Sequence, residues 1–229
     1  MTCSIGIVTA LDFEARALET SSLDVRRCAL AGRDAAAAVR ELVADGHRLI
    51  VSWGTAGALS PEFRAGDICL PEQVITRGGL RIATDSGWRA RFLAAVGESC
   101  RVSSGMLVDS PHIVAESSGK RELRASTGAG AVDMESGPIG EACRKHAVSF
   151  LVVRAIVDEL EDRLPAHIAR HVDKAGTLRP AALLGGFILR PGHWGTLLRL
   201  GRRYGRARAS LNTAAAVLGQ CIDDEQGVR

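Results

Sequence analysis

"SFLVVRAIVD", residues 149–158, is the stretch whose reading decides the fold. Its centre, "FLVVRAIV", is β-branched and nearly all apolar, without the alternation of a half-exposed strand, so it reads as a strand covered on both faces. Such a strand needs a layer of helices on each side. Working outward, short apolar runs alternate with helix-like stretches. Strands are expected at 4–9, 25–30, 48–53, 66–75, 101–108 and 130–134, and helices at 12–19, 33–46, 88–97 and 136–147. This alternation predicts an α/β fold: three layers, α/β/α, around a central mixed, twisted sheet.

Composition agrees with that reading. The chain has 229 residues, 46% hydrophobic and 24% charged, enough to bury one core, so a single domain over residues 1–229 is expected. The longest apolar run, "AALLGGFIL" at 181–189, ends at Arg190 and falls short of the roughly 20 residues that cross a bilayer. No basic segment precedes the first apolar residues and Asp12 interrupts them, so a cytoplasmic protein is expected. Cysteines 3, 28, 69, 100, 143 and 221 are scattered without a CxxC pair, which reads as reduced thiols rather than a disulfide frame or zinc cluster. Between Lys174 and Ile222 lie eight Lys or Arg and no Asp or Glu. Aromatic residues are 4% of the chain, too thin for a base-stacking surface, so nucleic acid is not an expected partner.

Ligands of open α/β sheets gather beyond the C-terminal strand ends. The first strand ends in "ALDFEA", with Asp12 and Glu14. The third is followed by "GTAGAL", read as a small-residue turn bearing the Thr55 hydroxyl. Later strands end in "VDMES", with Asp133, Met134 and Glu135, and in Asp158. Acids and a hydroxyl at comparable ends of separate strands predict a convergent site. Each also has a plain capping role available, for Asp12 above all. Asp158 follows the most buried strand, where desolvation raises a carboxyl pKa toward values useful for donating a proton.

"SWGTAGALSPEFRAGDICLP" (52–71) followed by "AVDMESGPIGEACRKHAVSFLVVRAIVDE" (131–159) resembles the nucleoside phosphorylase and nucleosidase superfamily over about residues 4 to 160. That family carries a Gly-[Ser/Thr]-Ala-Gly element, a Glu-Met-Glu-like segment and an Ile-Ser-Asp-like strand end. More narrowly, the chain resembles the hopanoid-associated phosphorylase group, assigned to removing adenine from adenosylhopane. The resemblance implies cleavage of the N-glycosidic bond of an adenine nucleoside, by hydrolysis or phosphorolysis. It implies that Thr55, Ala56 and Gly57 line the substrate, that Glu135 accepts the ribose hydroxyls, that Met134 packs under the sugar with Asp133 beside it, and that Asp158 protonates purine N7. It also implies a homo-oligomer. A methylthioadenosine/S-adenosylhomocysteine nucleosidase and a non-catalytic nucleoside-binding protein are the alternatives; the pairing of Glu14 with Asp158 argues against the second.

Phosphorylases of this family hold phosphate with arginines, and one of those positions is Ser52 here. "TALDFEA" (9–15) matches instead the nucleosidases, in which a Glu at the position of Glu14 activates water. A carboxylate there repels phosphate, so hydrolysis is expected, with inorganic phosphate a co-substrate only if Arg16 or Arg33 supplies its site. The place of the family's base-stacking Phe falls on His112, whose imidazole stacks or hydrogen-bonds, and Ile113 offers backbone groups to the purine edge. His167 and His171, four apart in "HIARH", lack the Glu of HExxH, so no metal or other cofactor is expected.

The last feature is a basic, amphipathic helical segment at about 190–218. On a helical wheel Trp194, Leu197, Leu198, Leu200, Tyr204 and Leu211 share one side, with Arg199, Arg202, Arg203 and Arg206 opposite. Such a helix either packs on the core or lies at an anionic inner-membrane surface, where it would meet a lipid-linked nucleoside.

Overall fold

The computed structural model describes residues 4–19, 23–28, 32–162 and 194–227, and within the last of these the side chains of 201–222. Two long strands form its spine. β3 (Leu49–Ala58) and β10 (Ser149–Asp158) run parallel and pair from Leu49 with Ser149 to Gly57 with Asp158. β10 occupies the span expected of it. β1 (Ile5–Thr9) flanks the first half of β3, pairing as far as Ser52, and β2 (Asp24–Arg27) pairs with β1. β9 (Ala131–Asp133) pairs antiparallel with β3 at Gly57 and Ala58. Between these two neighbours no strand among the described residues lies beside the edge of β3 around Thr55, and its backbone N–H needs another acceptor. The sheet continues through β8 (Met106–Asp109), β5 (Gln73–Ile75) and β6 (Arg81–Ala83) on one side and β4 (Ile68–Cys69) and β7 (Val102–Ser103) on the other.

Helices cover both faces. Leu49, Val51, Trp53, Leu151, Val153 and Ala155 pack under α3 (Ser86–Val96) and α6 (Trp194–Gly227). On the other face Ile50, Ala56, Phe150, Val152 and Ile156 pack under α2 (Ala35–Ala44) and α5 (Ser136–His146). The expected three layers around a mixed sheet are present.

Several expectations need correction. "GTAGAL" is no turn: β3 continues through it to Ala58. The strand expected at 66–75 is split into β4 and β5 around Pro71, which has no N–H for a ladder. The helix expected at 12–19 is the short α1 (Asp12–Arg16). β6 and α4 (Ser117–Thr127) were not anticipated. In α6, Ala207, Leu211, Ala214 and Leu218 are wholly buried in the core, so Leu211 belongs to packing and not to an interfacial face. Arg203 is ion-paired with Glu159 and Asp162, and the Tyr204 ring lies 4.6 Å from that of Phe13. His167, His171 and the 181–189 run lie outside the described residues, as do the side chains of Trp194, Leu197, Leu198, Arg199 and Leu200. Among the described residues no helix is long and apolar enough to cross a membrane.

Candidate functional site

Glu14 stands where three local constraints meet. The chain leaves β1 at Thr9 and turns into α1 with Leu11 at the N-cap, so Glu14, three residues on, folds back over the helix start. Its Oε2 accepts from the Leu11 N–H (3.1 Å) and the Thr9 hydroxyl (3.0 Å). Its Oε1 accepts from the Thr55 N–H and the Thr55 hydroxyl, both at 2.9 Å, satisfying the uncovered edge of β3. The side chain is buried, and burial raises its pKa against the opposing charge of Arg154 and these hydrogen bonds. Asp12 is exposed and paired with Arg27, outside the site.

Arg154, in the middle of β10, is the residue that sequence reasoning passed over. It is 1% exposed. Its Nη2 donates to Ser52 Oγ (2.7 Å) and Ser136 Oγ (3.1 Å) and lies 2.7 Å from Asp133 Oδ2, while Nη1 lies 3.9 Å from Glu135 Oε2. Gly54 is its partner across the ladder. A Cβ there would sit 2.3 Å from Arg154 Nη1 and 2.8 Å from the Glu14 carboxyl, so the missing side chain is what lets guanidinium and carboxylate approach. The signal for Arg154 was available: one cation in an otherwise apolar buried strand requires buried acids around it.

The junction of β9 and α5 supplies those acids. Asp133 accepts from the Ser136 N–H (3.2 Å) and hydroxyl, holding the helix start, and Glu135 is buried beside it. Met134 is half-buried, and its carbonyl accepts from Arg77 (2.7 Å). Arg77 also pairs with Asp109 at 2.7 Å. Asp109 is the ladder partner of Asp133; burial first, and the Asp133 charge second, raise its pKa to about 7.

Asp158 ends β10 at a bulge. Ile156 faces Ala56, yet Asp158 pairs with Gly57, so one extra residue turns the Asp158 side chain toward Gly57. A Cβ on Gly57 would lie 3.1 Å from both carboxylate oxygens. Asp158 is 5% exposed, and burial raises its pKa while the buried Lys120, bonded to its Oδ2, opposes this.

The structure thus gathers Glu14, Thr55, Asp133 and Glu135 around Arg154 and sets Asp158 at the same end of β3. Within that otherwise buried strand Thr55 and Gly57 are half-exposed, marking where the carboxyls meet an opening. Their anchors on β3 are two residues apart, about 7 Å at the rise of a strand. Ala56 points the other way, into the core under α2 and α5, so its side chain takes no part. His112 sits on an exposed turn closed by Ser110, and Ile113 is half-buried. Chemically, two desolvated carboxyls flank a patch rich in negative charge, suited to proton transfer and to stabilising a cation.

Residues 30–184 match the family model described as Phosphorylase superfamily. The fold is similar to a Helicobacter pylori methylthioadenosine/S-adenosylhomocysteine nucleosidase mutant holding 5′-methylthioadenosine, with a TM-score of 0.71, 17% identity and coverage of 98% of this chain and 100% of that one. It is also similar to futalosine hydrolase of Helicobacter pylori (TM-score 0.71, 15% identity, 98% and 99% covered). The nucleosidase of Neisseria meningitidis in complex with methylthio-immucillin-A is a third such structure (TM-score 0.71, 16% identity, 95% and 99% covered). At these identities the likeness establishes the fold.

Proposed function

Since the chain belongs to the phosphorylase superfamily, we propose that it cleaves the N-glycosidic bond of an adenine nucleoside and does so by hydrolysis. The observation that carries this reading is the setting of Arg154, the arginine buried in the network. Asp133, Glu135 and Glu14 surround it, so its charge is already balanced, and a phosphate dianion would enter a field with more acid than base. Ser52 occupies one of the positions at which the family's phosphorylases hold phosphate with an arginine, and Arg16 and Arg33 are exposed.

In the proposed reaction Glu14 accepts a proton from water as the oxygen attacks C1′. Two of its four donors are hydroxyls, which rotate to free a lone pair. The C1′–N9 electron pair passes to the purine, which takes a proton at N7 from Asp158. Glu135 accepts hydrogen bonds from the ribose hydroxyls, and the acids around Arg154 stabilise the positive charge developing on the sugar.

Two structural neighbours are methylthioadenosine/S-adenosylhomocysteine nucleosidases, so methylthioadenosine is one substrate to test. The finer reading is adenosylhopane, supported by the sequence resemblance and by α6. Arg202, Arg206 and Arg208 are exposed on this helix, and Tyr204, one turn from Arg208, touches Phe13 beside Glu14, so this part of α6 lies next to the site. Mass spectrometry of products from both nucleosides, with and without phosphate, tests the assignment. Adenine and free sugar without phosphate are expected, and a strict phosphate requirement would overturn hydrolysis. Flotation on anionic vesicles should weaken when Arg202, Arg206 and Arg208 are changed to Gln; unchanged flotation rules out a membrane role for this face.

A further inference from the structure

Lys120 is completely buried, on a mostly polar helix whose Leu123 is only partly buried against the core. Its ammonium is bonded to Asp158 Oδ2 and donates to the Glu159 carbonyl at 2.6 Å. Lys120 and Ser117 are the buried residues of α4, so a lysine holds this helix's most buried position, with Leu123 packed beside the core as its apolar anchor. Burying an ammonium costs several kcal/mol even when it is paired, which a purely structural anchor would avoid.

We propose that Lys120 is a positioning residue that sets the acid strength of Asp158, by stabilising the carboxylate left behind when the carboxyl proton passes to the departing base. The inference rests on the reading of Asp158 as the acid. With Oδ2 held by Lys120, the proton sits on Oδ1. As the C1′–N9 bond breaks, the Oδ1–H bond breaks and an N7–H bond forms, while Lys120 keeps its own protons. Burial raises the pKa of Asp158 and favours its protonated form, while the ammonium opposes this and makes the proton more readily transferred. Among the described residues Arg203 also lowers the pKa of Asp158, though less than Lys120, and it and Arg121 have carboxylate partners of their own. Arg203 of α6 is bound by Glu159 and Asp162, and Arg121 of α4 by the exposed Glu161.

The test is the pH dependence of kcat/KM for adenine release from methylthioadenosine or adenosylhopane, whichever the wild-type chain cleaves. Removing the cation makes Asp158 a weaker acid. Lys120→Met should therefore move the alkaline limb up by about 1–3 pH units and lower the acid plateau by about 10- to 100-fold. Lys120→Arg should restore the limb. Lys120→Gln, which keeps a donor for the Glu159 carbonyl without charge, should shift it as Met does. In an Asp158→Asn background Lys120→Met should cost nothing more, because its effect runs through that carboxyl. An unmoved limb, or losses that multiply in the double variant, would overturn the inference. Adenine release undiminished in Asp158→Asn would instead overturn the reading of Asp158 as the acid.

Discussion

Gly54 is the residue on which the network turns, because it admits Arg154 and Glu14 to the same space. Gly54→Ala should destabilise the chain by about 1–3 kcal/mol, the usual cost of overpacking. It should also lower kcat/KM by about 10²-fold through misplacement of Glu14. Denaturant unfolding and initial rates on the same preparation check both. Asp109 makes a second expectation at this scale. Its carboxyl is raised from 3.8 to about 7, so the folded chain holds the proton more tightly than the unfolded one. The linked stability is complete below about pH 4 and is lost as pH rises through 7. Asp109→Asn should flatten the decline of the urea midpoint between pH 5 and pH 8; an equal decline in the variant would show that Asp109 does not titrate there. Glu14, Thr55, Asp133, Glu135 and Asp158 were legible because each follows an apolar run with a polar group of defined chemistry. Arg154 was not, since one charge in an apolar decapeptide was absorbed into the strand pattern, and its partners come from β3, α1, the end of β9 and the start of α5.

Elements differed in how much of themselves they carry. β10 declares its own span, because seven consecutive buried residues need no neighbour to identify them. β3 hid half its length, because Gly54 and Gly57 look like a turn until Arg154, Glu14 and Asp158 are in place to require them. α4 was invisible to hydrophobic periodicity because its buried positions are Ser117 and Lys120 and Leu123 is its one sizeable apolar side chain. For α6 the wheel separates two faces but does not say what covers the apolar one. The structure answers for residues 207–221, which pack against Trp53, Leu151 and Val153. Leu211→Ala should accordingly cost about 2–5 kcal/mol, the range for a buried leucine that leaves a cavity. If the midpoint of unfolding moves by less than a surface substitution would move it, this half of α6 is not core.

At the scale of the molecule, overall charge and site charge point in opposite directions. The chain carries +3, and between Lys174 and Ile222 it has eight Lys or Arg and no acid, while the end of β3 gathers carboxyls about Arg154. An anion approaching the basic face of α6 would be attracted, yet the same anion at Thr55 would meet Glu14. A sugar ring that becomes cationic as its base departs finds the complementary field, and a neutral nucleoside gains less from it. Ligand-linked stability reads this difference without turnover, because any species that binds the folded chain raises Tm in proportion to the logarithm of its concentration over Kd. Adenine together with a cationic pyrrolidine bearing ribose-like hydroxyls should raise Tm by several degrees, about 4 °C for each 1–2 kcal/mol of binding in a domain of this size. Adenine with the neutral cyclopentane counterpart should do much less, and phosphate at the same concentration should leave Tm where it was. Equal shifts from the charged and neutral rings would mean that the acids around Arg154 are satisfied among themselves and exert no field on the sugar. Glu14→Gln and Glu135→Gln should each shrink the difference between the two rings, the second more strongly if Glu135 is the group that faces the sugar.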